Sequence, residues 1–170
     1  MDTVTALMAE MVAGHGNDTA IIYHDEPITY AELDDMSRRA ATVLADLGVG
    51  PGDRVALWLP NCPAYVALCL GCCRLGAIAV AVNTRFRSTE VSDIVSRVGA
   101  EIMVMWPGFR EIDFLALLAE AEPEALACLK TIILYDEGQK VDEIPTAVAH
   151  CRRLHYNDLI QCPPYDDDHG

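Results

Sequence analysis

The sequence has few basic residues and no long apolar run. Only 12 of its 170 residues are lysine or arginine, against 26 aspartates and glutamates, so the formal net charge is −14. A surface of this sign repels nucleic acid and anionic membranes, and we expect neither as a partner. No apolar run reaches the roughly 18 residues that a membrane-spanning helix needs. The N-terminus also lacks the basic and apolar regions of a secretory signal.

Several glycine-rich motifs that carry chemistry are also missing. The sequence contains no GxxxxGK followed by Ser or Thr and no GxSxG, which excludes a P-loop NTPase and an α/β-hydrolase. Gly48, Gly50 and Gly52 are closely spaced, but they precede a predicted strand. A dinucleotide-binding loop instead follows a strand and opens a helix, so these glycines do not favour a dinucleotide site.

The sequence does contain enough apolar residues for a buried core. Hydrophobic residues make up 52% of the chain and charged residues 22%, which is typical of a globular protein, and the length fits one domain. Its seven cysteines are an odd number, and several lie in apolar helical stretches. This pattern indicates reduced thiols and a cytoplasmic protein.

The central stretch, Asp53–Asn83, predicts a strand, a helix and a second strand. Arg54–Leu59 is largely apolar, and Pro63–Leu75 is apolar on nearly all sides, with Gly76 placed to end a helix in the left-handed conformation. Ala77–Val82 shows no alternation, which is typical of a strand covered on both faces. Two strands joined by one helix run parallel. With further strands and helices alternating on either side, we predict an α/β fold, a mostly parallel sheet with helices on both faces.

We predict three segments in one structural unit. Residues 1–52 form an N-terminal helix, a hairpin and a capped helix, and residues 53–140 form the parallel α/β core. Residues 141–170 form a poorly defined C-terminal segment that ends in an acidic linker. Within that linker, Asp166-Asp167-Asp168 predicts a hydrated tail.

Two helix starts have recognisable caps. Thr29 is followed three residues later by Glu32, the spacing of a capping box, so a helix is expected to start directly after Thr29. Ser88 is the expected N-cap of a later helix that ends at Gly99.

Two groups of metal-binding residue types occur, and neither predicts a metal site. Cys69-x-x-Cys72, with Cys73 beside it, falls in the middle of an apolar helix, whereas redox pairs lie at helix starts, so core packing is favoured. A second group lies near the C-terminus: His150, Cys151 and His155. It lacks the fourth ligand that a structural zinc site requires.

The loop after the second central strand holds the local candidates for ligand binding: Asn83, Arg85 and Arg87. Ligands of open α/β sheets gather at the carboxyl ends of the strands, and arginines there can bind phosphate or carboxylate. The alternative is that Asn83 caps the strand end while the arginines are solvated or pair with nearby carboxylates.

Five motifs resemble those of the adenylate-forming enzymes. Ile28–Leu33 is similar to their LTYxEL, and Leu47–Ala56 to their LGVGPGDRVA. Leu59–Pro63 resembles LPNSPE, and Arg74–Ala77 resembles xKAGA. Asn83 stands where PLNPR or VNTR is usual. Together the motifs cover most of the chain in the family's order, and the stretch that follows Asn83 looks most like acyl-CoA synthetases.

The resemblance implies an AMP-forming acyl-CoA ligase. Such an enzyme activates a carboxylic acid with ATP as an acyl-adenylate and then forms a thioester with CoA, so ATP, magnesium and CoA are implied for the parent protein. The family's TSGTTGxPKG phosphate loop does not occur in these 170 residues. The family's adenine and ribose motifs and its catalytic lysine are also absent from these residues, and in the family they lie downstream of this region. The chain therefore resembles an N-terminal fragment, which we expect to be inactive alone, with no catalytic residue and no cofactor of its own. The alternative is a freestanding binding or interaction module that keeps the ligase N-terminal fold.

We also expect the chain to self-associate as a two-fold homodimer. A two-stranded hairpin such as Ala20–Tyr30 is marginal alone and has an unpaired edge. The predicted helix that follows carries an apolar stripe that we expect to remain partly exposed to solvent: Leu33, Met36, Val43 and Leu47. The Met1–Ala13 helix is a third candidate contact.

Overall fold

The computed structural model describes residues 3–110, 112–137 and 144–167. The helices are α1 (Val4–His15), α2 (Tyr30–Asp46), α3 (Pro63–Arg74), α4 (Ser88–Val98), α5 (Phe114–Ala119) and α6 (Tyr156–Leu159), with 3-10 turns at Pro123–Leu126 and Thr146–Val148. The strands are β1 (Thr19–Tyr23), β2 (Glu26–Thr29), β3 (Arg54–Trp58), β4 (Ile78–Ala81), β5 (Ile102–Met105), β6 (Gly108–Phe109), β7 (Ile112–Asp113), β8 (Thr131–Leu134) and β9 (Arg152–His155). None of the described helices has both the length and the apolar composition that a membrane crossing requires.

Five strands form a parallel sheet in the order β4-β3-β5-β8-β9. Val55 of β3 lies opposite Ile102 of β5, Ile102 opposite Thr131 of β8, and Thr131 opposite Arg152 of β9. The three middle strands are buried almost throughout. Since β3 and β4 are neighbours joined through α3, the predicted strand–helix–strand unit and the α/β class are confirmed. The pairs β1/β2 and β6/β7 form two small antiparallel sheets.

The chain divides into two compact units. The first comprises Met1–Asp53, Asn61–Ile78 and Ile160–Gly170, and the second comprises Arg54–Pro60 and Ala79–Leu159. In the first, α2 packs against α3. The second holds a core of buried apolar side chains from the sheet, α4 and α5.

The start of α2 has the predicted capping box. The Thr29 hydroxyl accepts a hydrogen bond from the Glu32 N–H (3.2 Å), and the Thr29 N–H donates to Glu32 Oε2 (2.8 Å). This backbone hydrogen bond, followed by one from the Thr29 hydroxyl, lowers the pKa of the Glu32 carboxyl. Both groups of the cap thus satisfy backbone N–H groups that the first helical turn leaves without partners.

Replacing Thr29 with alanine should lower the free energy of unfolding by about 1 kcal/mol, because an N-cap hydrogen bond is lost. Urea unfolding at pH 7 measures this change. Thr89→Ala, at an exposed position in the first turn of α4, is the matched control and should stay within about 0.5 kcal/mol of the wild type. Equal losses in the two variants would contradict the cap assignment.

The pH dependence of the same cap can be tested with Glu32→Gln. The folded-state pKa of Glu32 is lowered, so its contribution to stability is present above the unfolded-state pKa and is lost as the pH falls through the folded-state value. Glu32→Gln should therefore destabilise the protein at pH 7 and become indistinguishable from the wild type in acid. A loss that is independent of pH would contradict this assignment.

The apolar stripe of α2 is covered in part, as expected. Leu33 and Val43 are buried, while Met36 and Leu47 are half-buried. The packing of α2 on α3 contributes to this cover.

The expectation that β4 is covered on both faces is wrong within this chain. The strand lies at the edge of the sheet, the Ile78 side chain is 51% exposed, and Ala81 is exposed. An unbroken apolar run shows that a strand suits burial, but it does not show what covers the strand.

The N-cap of α4 lies one residue earlier than predicted. Arg87 occupies that position, and its N–H donates to Glu90 Oε2 (2.9 Å). Ser88 is instead the first helical residue, because the Glu90 carboxylate already caps the helix from within. The end of α4 is as predicted, with Gly99 left-handed at a φ of 61°.

The C-terminal part holds more structure than the sequence predicts. Strand β9 has the polar sequence Arg-Arg-Leu-His, and it tolerates these residues because it is the second edge of the sheet. Residues 160–167, which we call the C-terminal strap, lie against α2: Tyr165 N–H donates to Arg38 O (3.2 Å). Asp167 forms ion pairs, so the predicted hydrated tail is wrong at this position. Asp168 and the 140/141 boundary lie outside the described residues.

Candidate functional site

The Asn83–Arg87 loop leaves the carboxyl end of β4. The Val82 N–H donates to Leu57 O (3.0 Å) as the last bond towards β3. The chain then turns: Asn83 Oδ1 accepts from the Arg85 N–H (2.9 Å), and Asn83 O accepts from the Phe86 N–H (3.0 Å). The Phe86 side chain packs against the core of the second unit. Asn83 is therefore committed to forming the turn.

The two arginines of this loop differ in their availability. Arg87 Nη1 donates to Arg85 O (3.0 Å), so its guanidinium binds the backbone of its own loop. Arg85 is exposed, and no side-chain partner for it is found in the part of the chain that the structure describes. Of the three predicted residues, Arg85 alone presents an uncommitted positive charge to a ligand.

The Cys69–Cys73 stretch contains three different thiol environments. Cys72 is buried, and burial raises its pKa to about 12. Cys69 is half-buried, and burial raises its pKa as well. Cys73 is exposed, so the core-packing interpretation is wrong for this residue. A raised thiol pKa suppresses the thiolate, which is the reactive and metal-binding form.

In the His150–His155 group, His150 and Cys151 share a contact with one backbone oxygen. His150 Nε2 lies 3.1 Å from Leu129 O, and Cys151 Sγ lies 3.5 Å from the same oxygen. Burial raises the pKa of Cys151 to about 11. Across residues 3–110, 112–137 and 144–167, no three His, Cys, Asp or Glu side chains are grouped so that they could hold a metal ion.

Timed alkylation at pH 8 should distinguish these cysteines. Cys73 is expected to react first, because it is exposed, whereas Cys72 and Cys151 should react only after unfolding, because burial limits access and raises both pKa values. Peptide mass spectrometry at successive times measures the rates, and the same reaction in urea is the control. Labelling of Cys72 as fast as Cys73 in the native protein would contradict the assignment.

A row of aromatic rings that the sequence analysis misses lies at the carboxyl ends of the strands. Each ring directly follows the end of one strand: Trp106 follows β5, Tyr135 follows β8, and Tyr156 follows β9. The Trp106 and Tyr135 ring centroids are 5.1 Å apart, and those of Tyr135 and Tyr156 are 5.5 Å apart. Phe109 extends the row beyond Trp106, at 5.3 Å. An aromatic residue directly after each strand could have indicated this row from the sequence. That pattern is visible only when β9 is predicted as a strand.

A comparison with protein-family models matches residues 8–162 to the family described as AMP-binding enzyme. Two curated relatives come from Mycobacterium tuberculosis. One is a propanoyl:CoA ligase whose acyl group carries a 7a-methyl-1,5-dioxo-octahydro-1H-inden-4-yl ring system, with 42% identity over 101 residues. The other is a long-chain-fatty-acid–CoA ligase, FadD13, with 41% identity over 100 residues. The matches cover 59% and 58% of this chain, and each spans only 20% of the relative.

Solved structures similar to this chain are also several times longer than it. The anthranilate CoA ligase AuaEII, in complex with anthranoyl-AMP, superposes on 96% of this chain with a TM-score of 0.77 and 23% identity. Acetoacetyl-CoA synthetase from Streptomyces lividans superposes on 94% with a TM-score of 0.78 and 24% identity. This chain covers 28% and 25% of those two chains. At these identities the likeness concerns the fold alone.

Proposed function

This chain belongs to the AMP-binding enzyme family, and we propose that it forms the N-terminal part of an AMP-forming acyl-CoA ligase. The observation that carries the proposal is the family match over residues 8–162, together with curated relatives that are CoA ligases. In the proposed reaction, a carboxylate oxygen attacks the α-phosphorus of ATP and pyrophosphate leaves. The sulfur of CoA then attacks the acyl carbon, AMP leaves, and a thioester remains.

The proposed substrate class is a carboxylic acid, without a narrower assignment. The names of the two relatives include a long-chain fatty acid and a fused-ring propanoate. These acids share the carboxyl group and differ in size and shape, so the shared chemistry is activation of that group.

Within this chain we propose a scaffolding role, with one contact to an anion. The exposed Arg85 is the residue we assign to a phosphate or carboxylate of the substrates, because its guanidinium is uncommitted. Asn83 and Arg87 hold the loop that presents it. The described residues include no cluster suited to a metal ion, so we assign no site here to the magnesium that the resemblance implies.

The isolated 170-residue chain should neither bind ATP nor exchange pyrophosphate into it. Stabilising a triphosphate requires a set of positioned donors, and the family's phosphate loop does not occur in this sequence. Calorimetry with magnesium and ATP, and exchange assays with fatty and aromatic acids, provide the measurements. Saturable ATP binding tighter than about 1 mM would contradict the expectation.

The size of the protein in its source tests the proposal against a freestanding module. An antibody raised against this chain should detect a protein several-fold larger than 18.6 kDa, and that protein, once purified, should form acyl-CoA. A product of 18.6 kDa without ligase activity would support the freestanding binding or interaction module instead.

We further propose a cytoplasmic location. Its support is that all seven cysteines are free thiols, as expected in a reducing compartment.

The isolated chain is also proposed to form a homodimer through the first unit. Ile22 of β1 is 71% exposed and Leu7 of α1 is 57% exposed, so the hairpin and the N-terminal helix each offer an exposed apolar side chain to a second copy. Within the stripe of α2, Met36 and Leu47 are half-buried and can contribute to the same contact. Light scattering at micromolar concentration should give twice the chain mass for the wild type and the monomer mass for Ile22→Lys. Thr89→Lys, on α4, is the control and should remain dimeric. A monomeric wild type would contradict the proposal.

A further inference from the structure

The C-terminal strap ends on a cluster of four charged side chains: Asp34, Arg38, Arg74 and Asp167. The Arg74 side chain is only 2% exposed. Its Nε donates to Ser37 Oγ (3.0 Å), while its two terminal nitrogens bind Asp34 and Asp167. An arginine remains charged even when buried, so this guanidinium requires carboxylate partners, and one of the two is supplied by the strap.

Asp167 also forms an ion pair with a second arginine, Arg38. Arg38 Nη2 lies 3.0 Å from Asp167 Oδ2, and Arg38 Nε lies 2.9 Å from Asp34 Oδ2. Two arginines and two aspartates make the cluster electrically neutral. If Asp167 moved away, Asp34 alone would face two guanidinium groups, one of them buried, and that arrangement is unfavourable.

The amino end of α1 lies beside this cluster. A cavity of about 340 Å³ is lined by residues of the first turns of α1 together with Arg74, Tyr165 and Asp167. The first turn of α1 carries no acidic side chain. The carboxylate of Asp167 therefore lines the same cavity as a helix N-terminus and a buried arginine.

The rest of the strap is held through its backbone. Arg39 Nη1 donates to Cys162 O (2.6 Å), Thr42 Oγ1 donates to Pro163 O (2.9 Å), and Arg38 Nη1 donates to Tyr165 O (3.0 Å). All three donors belong to α2. The strap thus follows α2 by neutral carbonyl contacts and ends at one charged contact, Asp167.

We propose that Asp167 is a positioning residue, whose carboxylate, held by Arg38 and Arg74, fixes the point from which the chain continues beyond the strap. The inference rests on the proposed function, in which the protein continues beyond the strap as far as its longer relatives do. The exit point then decides where the following segments begin. Two arginines bind the same carboxylate, and this is the arrangement expected where the end of the strap has to keep one position.

Hydrogen exchange on the full-length protein tests this inference. Asp167→Asn keeps the shape of the side chain and removes its charge, and it should accelerate exchange in the peptide that spans the strap at least tenfold. Exchange in α4, which belongs to the second unit, should stay unchanged. Arg38→Gln removes one of the two arginines together with the bond to Tyr165 O, and it should also accelerate exchange in the strap. Asp93→Asn is the matched control, since it breaks an Arg–Asp pair with Arg97 whose side chains are 52% and 77% exposed, and it should leave the strap unaffected.

Turnover gives the second readout. Asp167→Asn should lower kcat for acyl-CoA formation at least tenfold while the KM for the carboxylic acid changes less than twofold, because the charge orders the chain without touching substrate. Asp167→Glu should restore part of the rate. Strap exchange equal to that of the wild type, or faster exchange with unchanged kcat, would overturn the inference. If the wild type forms no acyl-CoA, the proposed function fails, and exchange alone then decides whether the charge of Asp167 holds the strap.

Discussion

Gly71→Val should lower the free energy of unfolding by about 3 kcal/mol. A Cβ atom at Gly71 would lie 3.0 Å from Ala41 N and 3.2 Å from Ala40 C, which is tighter than most packed contacts, so its neighbours would have to move by a few tenths of an ångström. Both are backbone atoms of α2, so relief requires the whole helix to shift away from α3. Overpacking of this kind typically costs 1–3 kcal/mol, and the branched side chain of valine places the substitution at the upper end.

Gly71→Ala and Gly14→Ala together isolate the steric effect. Alanine in a helix interior normally gains roughly 0.5–1 kcal/mol over glycine, and a Cβ at Gly14 would meet no atom within 4 Å. Gly14→Ala should therefore stabilise the protein slightly, while Gly71→Ala should destabilise it. Urea unfolding measures both changes. Equal stabilisation by the two variants would show that α2 and α3 are not in close contact at Gly71.

Gly76→Val should be the second costly change, at about 2 kcal/mol. Gly76 has a φ of 65°, as the sequence predicts, and a Cβ there would also lie 3.4 Å from Pro51 Cβ. The left-handed conformation costs most residues about 1–2 kcal/mol, and a β-branched side chain is the least tolerant of it. The carbonyl of Gly76 also accepts the Gly52 N–H (2.8 Å), so the backbone cannot rotate to relieve the strain without losing that bond.

The order of three substitutions at Gly76 distinguishes strain from contact. Asparagine adopts the left-handed region most easily, so the loss of stability should increase from Asn to Ala to Val. Gly50→Ala is the control, because Gly50, in the turn between α2 and β3, has no positive φ. Calorimetric melting measures the series. An unchanged midpoint in the valine variant, or equal losses for asparagine and valine, would contradict the role of the backbone conformation.

What the sequence predicts well depends on residues close together in the chain. Thr29 and Glu32 are three residues apart, and Gly76 directly follows the helix that it ends, so the local pattern contains the whole interaction. The same holds for the strand–helix–strand unit, whose periodicity and length are local properties.

The failures all involve distant partners. The sequence predicts that Asp167 is solvated, because the arginines that bind it, Arg74 and Arg38, lie 93 and 129 positions away. The sequence does not predict strand β9, because a strand with these polar residues is stable only at the edge of a sheet. Whether a strand lies at an edge depends on the order of the strands, which is not a local property. For β4 the apolar sequence predicts a covered strand, but the order of strands places it at an edge.

The candidate site follows the same division. The Asn83 turn uses neighbours within three residues, and the sequence locates it. The aromatic row at the ends of β5, β8 and β9 requires three strands to be aligned before it exists. Local composition therefore identifies the loop and misses the row.

The placement of the two tryptophans determines what a fluorescence experiment reports. Trp58 and Trp106 both belong to the second unit, and the first unit contains neither. Trp58 is fully buried, with its ring edge-to-face against Phe114 at 4.6 Å, so its emission should shift to longer wavelength when that core opens. Circular dichroism follows helices of both units, whereas tryptophan emission follows one. Coincident curves from the two methods would show that the units unfold together, and separated curves would give each unit its own stability.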